Sequence, residues 1–427
     1  MIAKMPKRAF KHSSKKDNPT GWRKRMNLDF GNKYDEFRKE VKAFCKEYEG
    51  IHVTSNLYSY ESVVDPNVKP KIEMSVKEWQ KILIDKGYHA RHIPNEYGGF
   101  GGELDIVKNV IITEEFSKSK IPAGIGGQGI DFLVPTLLEM GTEEQRQRYI
   151  KPALELEEIW CQGYSEPNAG SDLASLQTKG ELDGDEWVIN GQKIWTSTAK
   201  YAQMMFCLVR TEPDAPKHQG ISYLLIPMDA PGIEVRPLVD MTLDAGFNEV
   251  FFTDVRIPAD NIVGERGQGW LVANKTLVHE RGSLGDPNKM IRRYDKLVNL
   301  MKSEILDGTR IIDKPVYRDR LMRIQGKILA LKSHGLRLLS GRLNKGQDIS
   351  LATMIVKLYG TEMRYELESL AIDVMGELGT LYDNSPNLRD NGGWQYAYMY
   401  YLGLIIGGGT SQIQKNIIAE RGLGMPK

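Results

Sequence analysis

The sequence predicts an α+β chain laid out in three stretches: short helices, then strands, then long helices. Three observations carry that expectation. Apolar residues recur at helical spacing from about residue 33 to 160. Turn dipeptides and β-formers then crowd the stretch 161–265, and helical periodicity returns in the runs 311–345 and 351–375.

In chain order, the first 25 residues hold nine Lys or Arg and a single acid, Asp17. Residues 1–32 read as a solvated, mobile tail. A transit peptide, which would favour Arg and Ser over this Lys-rich run with Pro6, and a nucleic-acid arm are the alternatives. A helical domain is expected over 33–160. Tyr34, Phe37, Val41 and Phe44 share a helix face, and Ser75-x-x-Glu78 and Thr142-x-x-Gln145 are capping boxes that start helices. The Gly/Pro-rich segment 93–102 connects helices.

A β-domain, barrel-like, is expected over 161–265. Asp183-Gly184 and Asn190-Gly191 read as hairpin turns beside Trp187-Val188-Ile189 and Lys193-Ile194-Trp195. Met204-Phe206-Leu208, Ile221-Tyr223-Leu225 and Val250-Phe252 read as strands, and 258–264 closes the region. A helical bundle over 266–427 completes the chain.

Gly124-Ile-Gly126-Gly-Gln-Gly129 fits the dinucleotide pattern GxGxxG. That pattern binds a pyrophosphate only between an incoming strand and an outgoing helix. Thr113 to Lys120 reads instead as a charged helix end, so a tight loop between helices is expected.

At 427 residues, 41% hydrophobic and 26% charged, the chain has the make-up of a globular protein with ample core. A net charge of +1 gives no global pull toward nucleic acid or an anionic membrane. No apolar run is long enough to span a membrane. Cys45, Cys161 and Cys207 lack CxxC spacing and the seven histidines show no ligand-like pairing. Neither a disulfide framework nor a metal site is expected, and a reducing, cytoplasmic and bacterial setting ranks ahead of a mitochondrial matrix.

The most informative stretch is Cys161 to Lys200. Its loop Ser165-Glu-Pro-Asn-Ala-Gly-Ser-Asp172 sets hydroxyls and small residues on a β-scaffold, which suits a planar cofactor and a carbonyl. The block resembles the first signature of the acyl-CoA dehydrogenase family, flavoproteins that desaturate acyl-CoA thioesters with FAD. The resemblance covers residues 30–427 and implies a helical domain, a β-domain and a C-terminal four-helix bundle. It implies flavin contacts at Ser165, Gln162 and Tyr164, a second flavin-contacting pair at Trp195 and Ser197, and Ser171 near the thioester and pantetheine. Without it, a sheet-core aromatic is the alternative for Trp195 and a turn serine the alternative for Ser171.

Gly407-Gly-Gly-Thr-Ser-Gln-Ile-Gln-Lys415 resembles the family's terminal motif, YEGTSQIQR. The resemblance puts Thr410 and Gln412 on FAD. Gly408 stands where many members carry their glutamate base. Glycine cannot take a proton, but its backbone N–H survives, and in the family that N–H is a donor to the thioester oxygen. Isovaleryl- and long-chain-type members place the base on another helix, at the position that matches Glu280, with Arg281 beside it on the substrate side. Without the family, Glu280 reads as a solvated helix carboxylate or an ion-pair partner, with Arg281 adjacent. Arg310 and Arg320 fall near the family's RxxFG…Q stretch, which holds the FAD pyrophosphate of a neighbouring subunit; the Phe-Gly is absent and the spacing is one residue short. The family's QxxGG becomes Asp373-Val-Met-Gly376.

The resemblance therefore implies α,β-dehydrogenation of an acyl-CoA, electrons passed to an electron-transfer flavoprotein, and a homodimer or homotetramer. Two alternatives stay open: a non-catalytic partner subunit of a hetero-oligomer, to which Asp373 and Arg320 point, and a flavin monooxygenase of the same superfamily, to which Gly408 points. No residue fixes the length, branching or ring content of the acyl group.

Overall fold

The computed structural model of the protein describes residues 31–54, 71–283, 287–343, 350–382 and 385–426. The basic tail up to residue 30 and the side chains of Glu280 and Arg281 lie outside the described residues.

The first layer is helical. α1 (Asp35–Glu47) turns Val41, Phe44 and Cys45 inward. Next come β1 (Ile51–Thr54) and β2 (Ile72–Ser75), which pair in parallel. The helical periodicity of this region hid that ribbon, because four residues are too few for an alternating pattern to stand out. α2 (Val76–Asp85) starts as its capping box predicts: Glu78 N–H donates to Ser75 Oγ at 3.3 Å and Ser75 N–H donates back to the Glu78 carboxylate at 2.8 Å. α3 (Ile106–Ser119), α4 (Val134–Met140) and α5 (Glu143–Leu154) follow, the last on the Thr142/Gln145 box. Phe44 stacks on Trp79 and Phe116 and meets Tyr88 edge-on, which fixes how α1, α2 and α3 cross. The GxGxxG segment follows α3 and leads into a π-helical turn at Gln128–Leu133, with Gly127 N–H donating to Asp131 at 2.7 Å. No strand precedes it, and the loop expectation stands.

The middle of the chain is one curled seven-stranded sheet. Its strands are β3 (Trp160–Gly163), β4 (Lys179–Asp183), β5 (Glu186–Lys193), β6 (Met204–Arg210), β7 (Ile221–Pro227), β8 (Ile233–Leu238) and β9 (Phe247–Pro258). The order is β3-β6-β4-β5-β9-β8, with β7 also on β6. β6 and β7 are buried on both faces. Met204, Phe206, Leu208, Tyr223 and Leu225 join the core of the helical layer, while Met205, Cys207, Val209, Leu224 and Ile226 fill the sheet's own interior. Two-sided burial is why these strands read as continuous apolar runs.

One turn signal was right and one needs correction. Asp183 pairs with Glu186 across a two-residue turn, as Asp183-Gly184 predicts. Asn190-Gly191 is no hairpin; it lies inside β5, where the register against β9 shifts at a bulge. Gly191 has φ +148°, and a Cβ there would lie 2.7 Å from the Thr178 backbone. Asn190 pins the bulge by accepting from Asp254 N–H at 2.9 Å and donating to its carboxylate at 3.0 Å. The dipeptide signals an unusual backbone, and a bulge needs one as much as a turn does.

The last layer is the bundle: α6 (Gly269–Ser283), α7 (Pro287–Ser303), a small hairpin of β10 (Ile305–Leu306) and β11 (Thr309–Arg310), then α8 (Pro315–Leu343), α9 (Ser350–Met375), α10 (Gly393–Ile406) and α11 (Ser411–Ile417). Its core of Leu297, Met301, Ile324, Leu367 and Leu370 is separate from the first. Arg293 staples it, reaching Glu368 through two nitrogens and lying 3.6 Å over Trp394. No described helix is long and apolar enough to cross a membrane.

Candidate active site

β3 carries half-buried Gln162 and ends in the loop that follows Tyr164. The Ser165 carbonyl accepts from Ile194 N–H at 2.9 Å, lacing the first signature to the segment that holds Trp195 and Ser197. Glu166 and Ala169 exchange backbone hydrogen bonds of 3.1 and 3.0 Å around Pro167-Asn168. The Glu166 carboxylate turns inward and accepts from Gln177 N–H at 2.6 Å, Thr178 N–H at 2.9 Å and Lys193 Nζ at 2.7 Å. Lys193 is fully buried and also donates to the Tyr164 carbonyl at 3.2 Å. Burial alone would raise the Glu166 pKa, but the Lys193 charge and these donors outweigh it and hold the carboxyl below its ordinary value.

Trp195 has φ +59° and is 59% exposed, edge-on to Phe247. It is not a core aromatic. Its neighbour is locked to β9: Thr196 N–H donates to the Asn248 carbonyl at 3.0 Å and Asn248 Nδ2 donates to the Thr196 carbonyl at 2.9 Å. Ser197 follows, half-buried, and Thr198 N–H donates to the Gly246 carbonyl. A large exposed indole held by a strained, over-determined backbone fits an aromatic ring lying against it. The Tyr164 ring is buried against Phe206 and Tyr223. Ser171 is exposed beside the Asp172–Lys217 ion pair.

The C-terminal motif forms the loop between α10 and α11. Gly408 and Gly409 have φ +64° and +90°, a conformation that side chains resist. Lys357 of α9, 1% exposed, donates to the carbonyls of Gly409 at 2.7 Å and Ile405 at 3.2 Å. Gln414 donates to the Gly408 carbonyl at 3.0 Å. Thr410 Oγ1 accepts from Ile413 N–H at 3.1 Å and caps α11, while Gln412 is exposed. None of the described hydrogen bonds engages the Gly408 N–H.

Glu280 lies in the last turn of α6. One turn earlier, Thr276 is fully buried and its Oγ1 lies 3.0 Å from Thr136 Oγ1 of α4. Arg281 is the next residue along.

Arg310 and Arg320 do not converge on a free anion site in this chain. Arg310, in β11, pairs with Asp313 at 2.8 Å. Arg320, on α8, pairs with Asp373 at 2.6 Å in a groove of about 690 Å³ between α8 and α9, where Lys327 pairs with Glu366. The groove's cations are already compensated, so as it stands it does not fit a pyrophosphate.

Three family profiles run along the chain in order: acyl-CoA dehydrogenase N-terminal domain at 32–157, middle domain at 161–255 and C-terminal domain at 267–423. The chain belongs to the acyl-CoA dehydrogenase family. It is 38% identical over 398 residues to acyl-CoA dehydrogenase IpdE1 of Mycobacterium tuberculosis, covering 92% of this chain and 98% of that protein. IpdE1 of Mycolicibacterium smegmatis is 37% identical over 404 residues, covering 92% of this chain and 98% of its own. Two solved structures superpose at TM-score 0.74 over 94% of this chain and all of theirs: the Tcur3481-Tcur3483 steroid ACAD, 28% identical, and the ChsE4-ChsE5 complex from Mycobacterium tuberculosis, 29% identical. Acyl-CoA dehydrogenases are FAD-dependent oxidoreductases of lipid metabolism.

The sequence reading of this dehydrogenase missed the buried residues behind its loops. Glu166 was visible only as part of a motif, and Lys193 only as a strand residue. Lys357 did leave a signal: it is the single charge in the apolar run Met354-Ile-Val-Lys-Leu-Tyr359.

Proposed function

We propose that this dehydrogenase desaturates the Cα–Cβ bond of an acyl-CoA, with Glu280 as the base, and passes the electrons to an electron-transfer flavoprotein. The observation that carries this reading is position 408. It has no side chain to take a proton, while its N–H is left without an acceptor among the described residues. Bound FAD supplies the hydride acceptor. Trp195, Ser197 and Ser165, with Gln162 and the Tyr164 backbone, hold its ring, and Thr410 and Gln412 hold it from the bundle side. The Gly408 N–H donates to the thioester oxygen, where negative charge builds as the α-proton leaves for Glu280. A donor of that kind is worth about 3–4 kcal/mol of barrier. The family resemblance supports Ser171 and Arg281 as contacts to the CoA portion.

Glycine at 408 puts no side chain at that position, which suits a bulky acyl group. The steroid ACAD among the similar structures supports a ring-bearing thioester as substrate. The Arg320–Asp373 pair favours a second reading for the assembly, in which this chain needs a different subunit to complete its flavin site. Both solved relatives pair two different proteins by name, which supports it too.

The purified protein should be yellow and should bleach under anaerobic addition of a ring-bearing acyl-CoA. A chain that is colourless alone and yellow only with a second, different subunit supports the second reading. Glu280→Gln should keep FAD and substrate binding while turnover falls by roughly 10²–10⁴-fold, the usual loss for a general base. A folded, flavin-bound Glu280→Gln that keeps most of its turnover refutes the assignment.

A further inference from the structure

We propose that Lys357 is a positioning residue that aims the Gly408 N–H at the thioester oxygen. The inference rests on the reading of Gly408 as that donor.

Three consecutive glycines, Gly407 to Gly409, have more backbone freedom than any other tripeptide, so the direction of the Gly408 N–H must be imposed from outside. Lys357 imposes it from one side. Its ammonium binds the carbonyls of Ile405 and Gly409, which flank residues 406–408, and so fixes both ends of the segment at once. Gln414 fixes the Gly408 carbonyl, and Gly407 N–H donates to the Gly403 carbonyl at 2.7 Å. The carbonyls of Ile405, Gly408 and Gly409 are thereby committed, while none of the described hydrogen bonds takes up the Gly408 N–H. An ammonium has three donors on one atom and can hold two carbonyls together, which an apolar side chain of equal length cannot. Burying it among apolar residues is costly, so its place in α9 is not explained by packing alone. A donor misplaced by an ångström loses most of its effect on a transition state while barely changing ground-state binding.

The test uses the flavin-loaded protein with Lys357→Met, Lys357→Gln and Lys357→Arg. In Lys357→Met, kcat should fall by roughly 10²-fold while KM and flavin content stay within about three-fold of wild type. Amide hydrogen exchange in the peptide covering 405–412 should quicken by at least about ten-fold, with the rest of the bundle unchanged. Lys357→Arg should recover part of both, and Lys357→Gln, with donors for one carbonyl, should fall between. If Lys357→Met does not fold, Lys357→Gln is the deciding variant. Wild-type turnover with a Met or Gln variant of equal kcat and unchanged exchange at 405–412 overturns the proposal and leaves the functional reading intact. A rise in KM alongside the fall in kcat, with exchange raised across the whole bundle, also overturns it, since that is a merely structural role. A flavin-loaded wild type that no acyl-CoA bleaches overturns both.

Discussion

Breaking the Glu166–Lys193 pair should loosen the flavin loop, and the two possible single changes should not be equivalent. In Glu166→Gln the shape is kept, but the Lys193 ammonium loses its counter-charge in a fully buried position, retaining the Tyr164 carbonyl and one amide oxygen. One of the two N–H donors at Gln177 and Thr178 would then face the new amide nitrogen. Removing one member of a buried pair costs about 3–5 kcal/mol. In Lys193→Met the carboxylate keeps both backbone donors, while the hydrogen bonds of Lys193 to Glu166 and to the Tyr164 carbonyl are lost, at about 1.5–3 kcal/mol. Guanidinium-induced unfolding followed by flavin release reads both variants. Glu166→Gln should be the less stable, and it should shed flavin first because Tyr164 and Ser165 are the residues this pair holds. A Glu166→Gln within about 1 kcal/mol of wild type, or Lys193→Met costing more, refutes the reasoning. The pH dependence has a definite sign. The folded Glu166 pKa lies below the ordinary 4.5, so the unfolded state binds the proton more readily. The contribution is therefore present above pH 4.5 and lost as pH falls below it, and wild-type flavin retention should fail in that acid window while being flat near neutrality.

Gly408→Ala should lower stability by about 1–2 kcal/mol because φ is +64° there; an unchanged melting temperature contradicts that backbone. Introducing Gly408→Glu into Glu280→Gln should return part of the lost turnover at a lowered melting temperature, and a folded double variant with no gain in rate counts against position 408 facing the α-proton. Acid precipitation should release FAD into the supernatant, since none of the proposed flavin contacts is a Cys or His; flavin remaining on the polypeptide contradicts them. Light scattering of the flavin-loaded protein should give a dimer or larger, and an active loaded monomer would show that no second subunit completes the site.

The sequence by itself determined the order of layers and the location of the two motif loops. Helix starts were legible because a capping box is a local hydrogen-bond exchange, and the buried strands β6 and β7 were legible as unbroken apolar runs. The family resemblance implied Glu280 as the base, because a glycine stands at 408. Only the tertiary structure decided what holds those loops in place. Asn190-Gly191 satisfies the same local backbone demand in a turn or a bulge, and pairing with β9 chose the bulge. Trp195 has the composition of a core residue, but a positive φ sends it outward, whereas Tyr164 has the motif position of a ligand contact and its ring is taken by Phe206 and Tyr223. Lys193 and Lys357 are distant in sequence from most of the carbonyls they bind, and a charge is ordinarily read as surface. Whether it is buried depends on acceptors that only the packed chain brings within reach.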